Sequence, residues 1–288
     1  MSWEVLFLIN LIFAALREFT YKKISNRINP FFVLFAINIL AGIWLTIYYI
    51  IIYKGLPPIL PIVGLGGIFY IFGFISYLKA ISFSLSQSML FSSFAVIITI
   101  LLSAVFLGES EYFDLSTATG IKFVAGIILA FISLWLLLHS GSKKEARLEI
   151  KWFWYIAITI ISYGTGSFFS VYFMKQTNPI EVVISQIYLE IPVSLLLLFL
   201  LNIKVKIESK KMGLLVTNSI FSTISMMSFY YILLYLPASK LYPLQQVALV
   251  IITALLGAVF FGESKNLAGK KLVGMAMGFM GMVLLITA

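Results

Sequence analysis

Long apolar runs alternate along the chain with short polar or turn-forming breaks. Runs near 3–22, 31–52, 59–80, 85–107, 117–138, 152–174, 180–201, 212–235, 239–261 and 267–287 each suffice for a helix of about 20 residues, the length that crosses a bilayer. The breaks have local causes: Asn29-Pro30, Gly55-Leu56-Pro57-Pro58, Asn178-Pro179 and Leu236-Pro237 each carry a residue that cannot continue a helix. The longest polar stretch, His139 to Lys151 (HSGSKKEARLEIK), falls near the middle and reads as a linker. The predicted fold class is an all-α membrane protein of ten transmembrane helices, with units 1–138 and 152–288 around a linker at 139–151.

The two units are related. Val96 to Ser110 reads VIITILLSAVFLGES and Val250 to Ser264 reads VIITALLGAVFFGES, identical at twelve of fifteen positions at an offset of 154. The relation extends to Asn29-Pro30 and Asn178-Pro179, and to Gly120 and Gly269 after each Gly-Glu-Ser. Five spans per unit is an odd number, so the second copy enters the membrane from the opposite side. That predicts two inverted five-helix repeats, the architecture many secondary transporters use for alternating access. Loop 4, between the fourth and fifth helices, is acidic (Glu109, Glu111, Asp114), whereas its repeat partner loop 9 is basic (Lys265, Lys270, Lys271).

Composition agrees. Of 288 residues 61% are hydrophobic and 11% charged, with a mean hydropathy of +1.07, against about 25% charge in soluble domains. The net charge of +9 sits in short loops rather than on a basic face, so nucleic acid is not the expected partner; the lipid bilayer is. The odd-numbered loops hold all Lys and Arg except Lys54, Lys122, Lys175 and Lys240, which places those loops in the cytoplasm and both termini outside. The start, Met1-Ser2-Trp3-Glu4, lacks the basic region of a signal peptide, and the run behind it reads as a retained helix.

Several chemistries are excluded. There is no Cys, one His (His139) and one Asp (Asp114), which removes thiolate chemistry, Cys-based metal sites and most hydrolytic constellations. No G-x-x-x-x-G-K-[ST] loop occurs, so ATP is not the direct drive. The expectation is a non-enzyme without cofactor or metal. An intramembrane protease would need a Ser/His pair, paired Asp or a zinc motif.

Glu190 is the deepest acidic residue of the spans, midway through the seventh helix. Intramembrane carboxylates are functional candidates by default, and Glu190 is expected to bind a cationic or amine group or to carry a coupling proton. A structural carboxylate bonded to a neighbouring helix is the competing reading. Gln186, Glu190 and Ser194 form one polar stripe at i, i+4, i+8; Asn38, Gly42 and Thr46 repeat that spacing at an offset of 148. Two such stripes facing each other would line a central cavity. Gln245 and Gln246 open the ninth helix behind Tyr242, where substrate binding and interhelical bonding are both open. Arg17 and Glu18 lie in the last third of the first helix before Lys22 and Lys23. They read as interfacial, with Arg17 snorkelling and Glu18 paired with a nearby Lys; alternatively Arg17 faces a cavity and meets a carboxylate. Ser88, Ser92, Thr99 and Ser103 read as helix packing. Glu109 and Glu263 read as caps at helix junctions, and Lys151-Trp152-Phe153-Trp154-Tyr155 as an interface anchor.

The chain resembles the EamA family of the drug/metabolite transporter superfamily. The resemblance rests on ten spans in five plus five, on an apolar helix ending in Gly108-Glu109 and Gly262-Glu263 before a Gly-spaced helix, and on Gly269, Gly274, Gly278 and Gly281 in the last helix. Leu236-Pro237-Ala238-Ser239 is similar to the family's entrance to the fourth helix of a repeat. The Pro often found about thirteen residues before the Gly-Glu glutamate is here Val96 and Val250, and the Trp-Gly of the first helix appears only as Tyr163-Gly164. The resemblance implies export or exchange of a small metabolite such as an amino acid, sugar, nucleoside or amphipathic compound, without fixing which; the expectation here is an amino acid or amine, in the inner membrane of a prokaryote, handled by a monomer or homodimer. It implies termini in the cytoplasm, the reverse of the charge count. It also puts Tyr70, Tyr77, Tyr163 and Tyr230 on helices around a cavity, as an aromatic wall or cation-binding face with Tyr70 and Tyr163 as candidates for substrate contact, core packing being the competing reading for each. Gly64, Gly66, Gly67, Gly73, Gly164 and Gly166 would then bend as gates or merely allow close packing. A lipid-intermediate flippase or a partner-dependent membrane subunit is the alternative function.

Overall fold

The chain, seen as a computed structural model that describes residues 2–107, 114–138, 143–174, 176–203, 209–232, 235, 238–263 and 269–287, is helical, with no strand among the described residues. The helices are α1 (Trp3–Ser25), α2 (Pro30–Tyr53), α3 (Pro61–Phe83), α4 (Leu85–Ser92), α5 (Ala95–Leu107), α6 (Ala118–Leu138), α7 (Lys143–Met174), α8 (Pro179–Leu200), α9 (Ser209–Ile232), α10 (Ala238–Phe260) and α11 (Gly269–Thr287). Among the described residues six stretches are long and apolar enough to cross a membrane: Pro30–Tyr53, Pro61–Phe83, Leu85–Ser103, Ile150–Met174, Pro179–Leu200 and Lys211–Ile232. Shorter apolar helices lie at Ala118–Leu129, Ala248–Phe260 and Leu272–Gly281.

The repeated Asn-Pro pair starts α2 and α8 by one mechanism. Asn29 and Asn178 accept a hydrogen bond from Phe31 N–H and Ile180 N–H, and Pro30 and Pro179 fill the first helical position, where a missing N–H is harmless.

Two predicted boundaries differ. The run at 85–107 is not one helix but two, broken at Ser93-Phe94. Ser92 and Ser93 hydroxyls donate to the carbonyls of Met89 and Leu90, and the backbone tightens to three-residue bonds, Phe94 to Phe91, Val96 to Ser93 and Ile97 to Phe94. Side-chain competition for helix carbonyls thus breaks the helix without a proline. The repeat partner α10 runs on unbroken through Val250. The predicted linker also shortens, because α7 begins at Lys143; Lys143-Lys144-Glu145-Ala146-Arg147-Leu148-Glu149 is made of strong helix formers. His139, Gly108-Glu109, Lys265 and Leu236-Pro237 fall outside the described residues.

The main neighbours are α6 with α11, α3 with α7 and α8, α1 with α9, α2 with α8 and α9, α5 with α7, and α4 with α10. Running α2 in one direction, Asn38 meets Glu190, Thr46 meets Tyr188 and Tyr49 meets Glu181, so α2 and α8 are antiparallel. Ser133 with Gly274 and Lys122 with Thr287 make α6 and α11 antiparallel too. By contrast α1 runs parallel to α10, through Asn10 with Gln245 and Phe19 with Phe260. α5 runs parallel to α7, through Thr99 with Gly164 and Phe106 with Phe168.

The connections sort to two ends. The end of α1, the α3–α4 junction, the start of the apolar part of α7 and the segment after α10 meet at one end, through Lys22, Ser84, Ser88, Trp152 and Glu263. The end of α2 and the start of α8 meet at the other, through Tyr53 and Asn178. Outside, apolar side chains face the surroundings in stripes, such as Val5, Leu8, Ile12 and Leu16 on α1 and Leu195, Leu196, Phe199 and Leu200 on α8. Inside sit Asn10, Glu18, Asn38, Gln186, Glu190 and Gln245, all buried. Exposed apolar stripes outside, with polar and charged side chains buried beside the apolar core clusters, are the reverse of a soluble surface and suit lipid.

Candidate functional site

Glu190 lies near the middle of α8, two residues before Pro192, which interrupts that helix's hydrogen-bond ladder. The carboxyl is 7% exposed, and its Oε2 accepts from Asn38 Nδ2 at 2.8 Å, its one hydrogen-bond partner among the described residues. The stripes of α2 and α8 do face each other, but they close on one another: Gly42 is covered by Ile187, Tyr188 and Ile191, and Thr46 bonds Tyr188. Ser194 bonds back to Ile191 O within its own helix.

α3 covers the other side of Glu190. A Cβ on Gly67 would stand 2.8 Å from Gln186 O and 3.1 Å from Glu190 Oε1, and one on Gly73 2.4 Å from the Tyr163 ring. These two glycines let α3 approach α8 and α7, and α3 itself is one continuous helix; the observed role is close approach rather than bending.

Gln186 is buried and bonds Ser170 Oγ on α7 through Nε2 at 2.9 Å. The Tyr70 hydroxyl lies 3.2 Å from the same Ser170 Oγ and 3.3 Å from Ser167 Oγ. Tyr163 stacks obliquely between Tyr70 and Tyr77, with centroids at 5.9 and 6.1 Å. The Glu190 carboxylate is within electrostatic reach of Tyr21, Tyr70, Tyr163 and Tyr230. Gln186, Glu190, Asn38, Tyr70 and Tyr163 therefore belong to one region. Gln245 does not join them directly: it donates to Asn10 Oδ1 at 2.7 Å, and Asn10 donates to Ser225 O at 2.7 Å, an interhelical staple of α1, α9 and α10.

The interfacial reading of Arg17 and Glu18 fails. Glu18 is 2% exposed; its Oε1 accepts from Arg17 Nε at 3.0 Å and Nη2 at 2.8 Å, and its Oε2 from the Tyr77 hydroxyl at 2.6 Å. No Lys pairs with it among the described residues. Arg17 shares the face of Asn10, Ala14, Tyr21 and Ile24, opposite the apolar stripe of Val5, Leu8, Ile12 and Leu16. Yet its side chain keeps 25% of its surface accessible, so it borders a recess inside the bundle. Its Nη1 has no hydrogen bond among the described residues, leaving one edge of the guanidinium free for an acceptor. Both Arg17 and Glu18 act electrostatically on Tyr21 and Tyr163, which Glu190 also reaches, so Arg17, Glu18 and Glu190 are grouped around the same tyrosines. Of the predicted anchor 151–155, Trp154 is exposed as expected, whereas Trp152 is buried and donates to Ser88 Oγ at 2.8 Å.

Outside the spans, Asp114 is exposed and held below the usual carboxyl range by the Ser116 hydroxyl and amide, an ordinary turn. Among the described residues no three His, Asp or Glu side chains are grouped to hold a metal.

No curated protein matches the chain. A solved crystal structure resembles it end to end, covering 99% of this chain and 98% of that one at a TM-score of 0.62 and 17% identity, a likeness of fold alone. Residues 150–287 match the model of the EamA-like transporter family, and the first unit is tied to that region by the repeat of 96–110 in 250–264. The second half of the chain, residues 150–287, thus matches the EamA-like transporter family, consistent with a membrane transporter of the drug/metabolite type.

Proposed function

We propose that the protein is a secondary transporter of ten spans that exports or exchanges a small metabolite bearing an amine, such as an amino acid, across the inner membrane of a prokaryote. Two inverted five-helix repeats, 1–138 and 152–288, rock about a central site. The neighbours support this arrangement: exchanging first-half helices for their second-half equivalents converts α3·α7 into α9·α1, α3·α8 into α9·α2 and α5·α7 into α10·α1, all of them packed pairs. The equivalents α2 and α8, and α6 and α11, are antiparallel, as an inverted repeat requires. The α4–α5 pair counts as one span, and α1 as a span despite Arg17, Glu18, Lys22 and Lys23.

The observation that carries the reading is Glu190, a carboxyl in mid-helix whose described partner is a single neutral amide. A structural carboxylate would be ringed by donors; this one retains acceptor capacity for an ammonium group or a coupling proton. The tyrosines provide faces for a cation, and Arg17 offers a free edge for a carboxylate. The reading is tested by thermal stabilisation of the purified protein against amino acids, amines, nucleosides, sugars and amphipathic cations, in parallel with Glu190→Gln. A ligand at 100 times its Kd stabilises by about 2.7 kcal/mol. A hit lost in Glu190→Gln is expected. A hit that survives makes Glu190 structural, and no hit from any soluble compound would favour a lipid intermediate or a missing partner subunit.

A further inference from the structure

Lys22 is placed by sequence at a helix end, where it should reach water. Instead it is 7% exposed, and its ammonium uses every donor inside the protein: it donates to Ile81 O at 2.5 Å and Ser82 O at 3.3 Å, and pairs with Glu263 Oε1 at 3.1 Å. Glu263, beyond the end of α10, is buried as well. Its Oε1 accepts from Leu85 N–H at 2.7 Å, and its Oε2 from Ser86 N–H at 3.0 Å, Ser86 Oγ at 2.8 Å and Ser84 Oγ at 3.0 Å.

The chemistry is reciprocal. The last carbonyls of α3 are capped by a cation from α1, and the first amides of α4 by an anion from the second half of the chain, each charge of the sign its helix end favours. The ion pair then ties the two caps together. Its position gives it a purpose. Lys22 stands five residues beyond Arg17 on the same helix, about 7.5 Å along its axis, so the ring of Lys22, the α3–α4 junction and Glu263 lies just below the recess that leaves Arg17 accessible.

Resting on the alternating-access reading above, we infer that Lys22 and Glu263 form a latch that seals the α1–α3–α10 end of the bundle and must part for the central site to open there. A latch of this kind suits a gate because its pieces come from separate repeats: rocking one against the other separates Glu263 from Lys22 and from the α4 amides in one movement.

The chain has no cysteine, so one introduced thiol reports alone. Ser222→Cys is nearly isosteric and lies beside Tyr21, which precedes Lys22 on α1. In sealed vesicles of each orientation, a membrane-impermeant maleimide should label it poorly from the latch end. Adding Lys22→Met or Glu263→Gln should raise that rate about tenfold or more, the signature of a shifted population, while Lys22→Arg, which keeps the charge, should not. Equal labelling from the latch end with and without the pair overturns the inference. Should the neutral variants not fold, hydrogen exchange of the unsubstituted chain decides: the Leu85 and Ser86 amides must exchange through a local opening faster than amides in the middle of α10, and equal protection refutes the latch. No ligand is needed in either assay, so a failed search for substrate leaves the latch standing and a failed latch leaves the Glu190 site untouched.

Discussion

Asn38→Leu removes the donor that faces Glu190 while keeping the size of the side chain. The two side chains are each 7% exposed and meet at 2.8 Å across α2 and α8. A hydrogen bond to a charged group contributes about 1.5–3 kcal/mol in soluble proteins, whereas interhelical bonds in membranes average about 0.6 and reach about 1.7. Because Asn38 is the carboxyl's single described donor, its loss strands a buried acid, and the upper part of the membrane range applies: about 1–2 kcal/mol. Glu190→Met strands the amide instead and should cost a similar amount. The double variant leaves no orphan, so it should be less destabilised than the sum, with a coupling of about 1 kcal/mol or more. Reversible unfolding in mixed micelles, following helix content as denaturing detergent is added, measures all four proteins. Strictly additive effects would mean that the bond is not made and that α2 and α8 do not meet at this level. A Glu190→Met cost far above that of Asn38→Leu would mean that further donors hold the carboxylate, which removes the argument for a ligand.

Glycine substitutions should split in sign. Gly213 has nothing within 4 Å of a built Cβ, so Gly213→Ala gains about 0.5–1 kcal/mol of helix stability; at Gly67 the new methyl meets Gln186 O at 2.8 Å, and overpacking of about 1–3 kcal/mol should outweigh that gain. Melting temperatures that move the same way would refute the close approach of α3 to α8. Tyr77→Phe deletes the 2.6 Å bond to Glu18 and should lower stability by about 1–2 kcal/mol; an unchanged unfolding midpoint would show that Glu18 is held by Arg17 alone. The pH dependence follows from Glu263. Burial pushes its carboxyl up, but the Leu85 and Ser86 donors and the Lys22 ammonium outweigh burial and hold it below the usual range. A depressed carboxyl contributes stability above about pH 4.3, its unfolded value, and loses it as pH falls through the lower folded value. The unsubstituted protein should therefore lose more stability than Glu263→Gln between about pH 5 and pH 3, and parallel acid limbs in a melting series would contradict the buried pair.

The sequence made the helices and the buried Glu190 legible because both follow from local rules. Asn-Pro starts a helix wherever it stands, and a carboxylate amid Leu and Ile must be housed. The partners of Glu190 were partly legible too, since the spacing of Gln186 with Glu190 fixes one face and Asn38 lies on the matching face of α2. Direction around a helix was harder to read than its position in the chain. Arg17 and Glu18 looked interfacial because four charges cluster at the end of α1, and only the opposing apolar stripe shows that they point inward. The Lys22–Glu263 pair joins residues 241 positions apart, and no local signal marks the α3–α4 junction that completes it. Ser92 read as a small packing residue and Ser93 carried no reading at all, whereas both hydroxyls turn to the backbone and break the span.

Equivalent places in the two halves carry different chemistry, and under the proposed function the difference bears on what the central site would hold. Tyr77 on α3 donates to Glu18 on α1; the matching pair in the second half is Tyr230 on α9 with Ser170 on α7. The same packing thus presents a carboxylate on one side and a hydroxyl on the other. Glu18 is answered within its own helix by Arg17, so that side is neutral as a unit and exposes a guanidinium edge. Glu190 is answered by a neutral amide, so among the described residues it is an acid without a balancing charge. A symmetric cavity would accept a small dipolar ligand in two orientations, related by the axis of the repeats. Under the proposed function a zwitterion would satisfy both groups in one orientation alone, its ammonium at Glu190 and its carboxylate at Arg17, whereas a simple amine would engage only Glu190. On this reading Glu190→Gln removes amines and amino acids alike, while loss of the Arg17 edge weakens amino acids and spares amines, so the two variants together separate a zwitterion site from a general cation site.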